Sequence, residues 1–74
     1  MDILILNKKI ELGPVFIYDD IEEAFLKVFN DNGVKRCILK HRGCKPVEVP
    51  HSYPTAFNIM LAGVEVTEQE FERF

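Results

Sequence analysis

Apolar side chains come in blocks along this chain, and the blocks differ in period. Residues 20–31, DIEEAFLKVFND, place Ile21, Ala24, Phe25, Val28 and Phe29 at relative positions 0, 3, 4, 7 and 8. That is one face of a 3.6-residue period, and it predicts a main helix from about Asp20 to Asp31, with Leu26 off its buried side. Asp19-x-x-Glu22 and Asp20-x-x-Glu23 both have the pattern of a capping box, and the four carboxylates suit the positive end of a helix dipole. Asn30-Asp31-Asn32-Gly33 supplies a stop, because glycine takes the left-handed conformation that closes a helix.

Other blocks lack that period. The blocks 2–6 (Ile3–Leu6 behind Asp2), 15–18 and 37–39 are apolar on successive positions. In a strand, successive side chains point to opposite faces, so such runs predict strands covered on both sides. Lys9-Ile10-Glu11-Leu12 alternates, which predicts a half-exposed strand after a tight turn at Asn7-Lys8. Residues 34–41 form a strand behind the helix. Residues 46–50 form a short strand between Pro46 and Pro50, and proline's missing donor puts it at an edge.

Residues 55–63 fit two patterns. Phe57, Ile59 and Leu61 alternate, which favours a hairpin through Ala62-Gly63 into Val64–Val66. Pro54 ahead of Ala56, Phe57, Met60 and Leu61, with Gly63 behind, fits a short helix instead. Thr67-x-x-Glu70 is a further capping box, opening a short terminal helix with Phe71 and Phe74 one turn apart. These two rings fold back on the sheet or dock on a partner. The ending GVEVTEQEFERF resembles the strand–turn–strand–helix tail of many small phage proteins. The expectation is one α+β domain over residues 1–74: a small mixed sheet of four to six short strands on one main helix, with a short C-terminal helix.

Composition changes this picture little. Seventy-four residues, 47% hydrophobic and 28% charged, make a globular chain near the small end of what folds alone. The segment Met1–Asn7 has no basic leader, and its apolar run is too short for a signal peptide. No run reaches the roughly 20 residues of a membrane helix. Together these predict a cytoplasmic protein with no membrane association and with Cys37 and Cys44 reduced. Residues with AT-rich codons (Phe, Tyr, Met, Ile, Asn, Lys) number 27, against 14 for Gly, Ala, Arg and Pro, a balance that suits a low-GC bacterium or its phage.

Charge is more telling. Residues 34–45, VKRCILKHRGCK, hold Lys35, Arg36, Lys40, Arg42 and Lys45 with His41 and no acid. That segment is +5, so the rest sums to −8 to give the net −3. It can be the solvated face of a strand, a rim that fixes register on an acidic partner, or a phosphate-facing surface with Phe16, Tyr18 and Tyr53 as stacking residues. The acidic whole argues against strong nonspecific DNA binding.

Cys37, His41, Cys44 and His51 are zinc-ligand types within fifteen residues. In a strand, however, Cys37 and His41 would stand about 13 Å apart, too far for one metal. Cys44 beside Arg42 and Lys45 has the charge surroundings of a nucleophile, but the sequence supplies no orienting third group. The acidic run 19–23 is accounted for by capping. No cofactor, metal site or catalytic residue is predicted.

The expected function is a small non-catalytic protein-interaction module, acting through uncovered sheet or an edge strand. Its partner would be a second copy of itself or, in a phage setting, a host protein that it inhibits. The alternative is a small RNA- or single-stranded-DNA-binding protein using residues 35–45.

Overall fold

In the computed structural model, which describes residues 1–74, the chain opens with a helix, α1 (Ile3–Leu12). This corrects the expected strands at 2–6 and 9–12. Asp2 is the cap: its Oδ1 accepts from Leu4 N at 2.7 Å and from Ile5 N at 3.4 Å. Leu6 and Ile10, one turn apart, are buried, and the other apolar positions of the run spread around the helix. Apolar residues on every side erase the periodicity that would have separated helix from strand.

The expected main helix at 20–31 is also overturned. β1 (Val15–Asp19) and β2 (Ala24–Asp31) are antiparallel, joined by the four-residue loop 20–23. Asp19 Oδ1 accepts from Ile21 N at 3.0 Å, and Glu23 stands at φ 51. An Asx turn and a left-handed residue therefore occupy the supposed cap. Ile21, expected in the core, lies exposed at the loop, and Leu26, expected outside, is fully buried.

β3 (Val34–His41) pairs with β2 along its whole length, from Asp31↔Val34 to Ala24↔His41. The turn between them is Asn32-Gly33, with φ 51 and 85. Two residues with positive φ make the mirror-image turn that matches strand twist, and Asn-Gly is its preferred pair.

β4 (Val47–Val49) is the expected edge strand on β3. Residues 54–62 form α2 (Pro54–Ala62), the helical alternative, with Pro54 in its first turn. β5 (Val64–Val66) pairs with β1 rather than with the segment before it. α3 (Glu68–Arg73) begins at Thr67, whose side chain and that of Glu70 form both halves of the capping box.

The result is an α+β fold: one five-stranded sheet, order β4-β3-β2-β1-β5, with three helices. Its pairings are antiparallel throughout, not mixed. β2 lies between β1 and β3, so no parallel crossover arises.

Alternation along the strands sorts the side chains into two layers. Val15, Ile17, Leu26, Val28, Cys37 and Leu39 face α1 and α2, where Leu6, Ile59 and Met60 complete the main core. Phe16 and Phe25 face the other way and meet Phe71 of α3, with Tyr18 and Phe74 beside them. The terminal rings thus fold back on the sheet.

The two edges differ. A two-residue turn makes Asp31 and Val34 a hydrogen-bonded pair, so even-numbered β3 residues bond to β2 and odd ones face β4. Cys37 and Leu39 stand opposite Val49 and Val47. The outward backbone row of β4 is therefore Pro46, Glu48 and Pro50, and two of those three residues have no N–H.

Candidate functional site

The strand alternation that builds the sheet also divides the basic segment. Arg36 and Lys40 project to the α3 side, Lys35 to the α1 side, and His41, Arg42 and Lys45 lie exposed at the far end of β3 and in the turn after it. Contiguity in sequence is not contiguity on the surface.

Three of these cations have partners within the molecule. Arg36 is held between Asp31 Oδ2, 2.6 Å from Nη1, and Glu48, whose oxygens accept from Nε at 2.8 Å and Nη2 at 2.5 Å. Hydrogen bonds to Glu48 and then Asp31 push the Arg36 guanidinium further up, and the Arg36 bond holds the Glu48 carboxyl below its ordinary range. Lys40 Nζ donates to Phe71 O at 2.6 Å and Glu72 O at 3.1 Å, backbone carbonyls of α3's last turn. The Arg42 guanidinium sits 4.6 Å from the Phe74 ring centre.

The three candidate stacking residues do not form a platform. Phe16 is buried under Phe71, with ring centres 5.3 Å apart. Tyr18 packs on Phe25 at 4.6 Å and on Phe74 at 5.9 Å. Tyr53 caps the start of α2, in the layer on the opposite face. Solvent-facing bases therefore find neither Phe16 nor a Phe16–Tyr18–Tyr53 set. The sheet surface beyond α3 is a mosaic of charge and ring: Lys27 Nζ lies 5.3 Å from the Phe29 ring centre, and the Arg36 guanidinium lies 5.5 Å from the same ring.

Cys37 is in the core, and burial pushes its thiol up to about 11. Cys44 is exposed in the turn after β3, where its N–H donates to His41 O at 3.1 Å. No group of three or more His, Cys, Asp or Glu side chains is close enough to hold a metal ion. No helix is long and apolar enough to cross a membrane.

Sequence reasoning missed the outer side of the helix layer. On α1, Leu4 (73%), Ile5 (51%) and Leu12 (92%) are exposed; on α2, Phe57 (46%) and Leu61 (47%) are half-exposed. The first turn of α1 abuts the last turn of α2, where the Met1 amino group donates to Leu61 O at 2.6 Å. The signal was the surplus of apolar residues in ILILNKKIEL, hidden while that run read as two strands. Single exposed apolar residues are ordinary; five on two neighbouring helices are not. Comparison of the chain with models of protein families, with curated proteins and with solved structures yields no match.

Proposed function

We propose that this chain is a small non-catalytic protein-interaction module that docks through the outer face of α1 and α2, with a second copy of itself as partner. The exposure of Leu4, Ile5, Leu12, Phe57 and Leu61 on one layer carries the reading. Burying such a face against its own kind removes it from water at about 25 cal/mol per Å². Lys8 and Glu11, exposed on the same helix, supply one charge of each sign. Two copies related by a twofold axis can then set unlike charges against each other.

The alternative, RNA or single-stranded DNA on residues 35–45, has less support. Arg36, Lys40 and Arg42 already have partners within the chain. We place the module in the cytoplasm, where Cys37 and Cys44 stay as thiols. In a phage setting the same face would meet a host protein that the module inhibits, in competition with self-association.

Solution mass tests the reading. Light scattering across micromolar to millimolar concentrations should give twice the 8.6 kDa of the chain. Leu4→Glu and Phe57→Glu should each stay folded and return the mass to a monomer. The dimer should survive moderate salt, whereas nucleic-acid binding would weaken steeply. A wild-type chain that stays monomeric at all concentrations overturns the self-pairing.

A further inference from the structure

The opposite face of the sheet already holds a peptide, the chain's own α3. With six residues, this helix is far shorter than the 12–15 or so at which an isolated helix becomes even marginal, so docking holds it together. Phe71 lies 5.3 Å from Phe16 and 6.2 Å from Phe25, and Phe74 lies 4.5 Å from Phe25, ring centre to ring centre. Lys40 reads two carbonyls of its last turn, and Arg42 covers Phe74. These contacts form a cluster of their own, separated by the sheet from the main core. A single residue, Thr67, joins α3 to β5.

Each part of this recess recognises a feature of α3 that another chain can carry. Phe16, Tyr18 and Phe25 receive two rings three positions apart. Lys40 satisfies carbonyls that a helix end leaves without intrahelical partners. Charge is complementary as well: α3 carries Glu68, Glu70 and Glu72 against one Arg73, and the recess is edged by Lys27, Lys40 and Arg42.

We propose that this face is a peptide-binding groove with α3 as its resident occupant, and that it takes in exchange an acidic helical segment of a partner protein bearing two aromatic residues at i and i+3. The groove goes beyond the helix-layer interface and uses none of its residues. A tethered occupant acts at an effective concentration in the millimolar range, so the partner segment must outcompete α3 or arrive alongside a second contact.

A fluorescent peptide of residues 67–74, TEQEFERF, is the probe. In the full-length chain, Phe71→Ser with Phe74→Ser empties the groove while leaving the main core intact. This variant should bind the peptide about tenfold or more tighter than the wild type, whose own α3 blocks the site. Adding Lys40→Met should weaken binding, and a peptide with both Phe replaced by Ser should not bind. A folded variant that binds no peptide, or binds it no better than the wild type, overturns the proposal.

Native-state amide exchange on the wild type gives a second test that needs no variant. The Phe71 amide, which donates to Thr67 O, should exchange about tenfold or more faster than β2 and β3 amides, corrected for intrinsic rates. Equal protection means that α3 opens only with the whole molecule, and would sink the idea. Peptide binding repeated in the Leu4→Glu background separates the two surfaces, because loss of the dimer should leave the groove unchanged.

Discussion

Cys37 sits where β3 crosses the main core, fully buried among aliphatic neighbours. Burial disfavours its thiolate, raising the thiol from an ordinary 9.0 to about 11. Between those values the folded chain holds a proton that the unfolded chain releases. Stability from this group is therefore complete below about 9 and lost as pH rises through about 11, by roughly 2–3 kcal/mol. Urea midpoints measured across that range should fall less steeply in Cys37→Ala than in the wild type.

Gly63 is constrained by space. A Cβ there would meet Ile17 Cγ2 at 2.5 Å, Ile59 O at 2.6 Å and Tyr18 O at 2.9 Å. Two of these are backbone atoms and cannot yield cheaply. Gly63→Ala should cost about 2 kcal/mol or more in urea unfolding. Gly13→Ala, which meets nothing within 4 Å, serves as its control.

At the scale of elements, legibility followed how many readings a segment allowed. Val15–Tyr18, residues 34–41, the proline-flanked β4 and the Thr67 box each had a single consistent pattern, and each was readable. Residues 24–29 did not. Ala24, Phe25, Val28 and Phe29 satisfy a helical face, yet AFLKVF also fills both faces of a central strand, with Leu26 in the core and Lys27 among rings on the other side. Sheet pairing on both flanks decided the outcome, a long-range effect that residues 24–29 by themselves do not carry.

Asn32-Gly33 was the local sign. Between two apolar runs it marks a hairpin more strongly than a helix stop. Gly33→Ala should destabilise the hairpin by about 1 kcal/mol, because its φ of 85 disfavours a side chain, and urea unfolding measures it. The candidate site was harder to read than the fold. The exposed face of α1 becomes visible only once residues 3–12 are known to be helical.

Across the whole molecule, the sheet separates an aliphatic compartment under α1 and α2 from an aromatic one under α3. The apolar strands did require cover on both faces, but the cover is α1 and α2 on one side and α3 on the other, rather than a helix at 20–31 with the terminal rings or a partner opposite. The exposed apolar surface therefore moves from the sheet to the backs of the helices. Within the basic segment, Arg36, Lys40 and Arg42 bind the molecule to itself through Asp31, Glu48, Phe74 and the carbonyls of α3.

The prolines bracketing β4 set the direction in which this architecture can grow. A strand arriving from outside at that rim finds one amide hydrogen among three residues, and the Pro50 carbonyl is already engaged by Tyr53 N–H at 2.9 Å. Ribbon-like stacking of molecules is thus stopped on one flank, so any lateral extension must start at Val64–Val66. One open flank permits a pair joined there, but it denies the endless head-to-tail addition that turns small β-rich proteins into fibres.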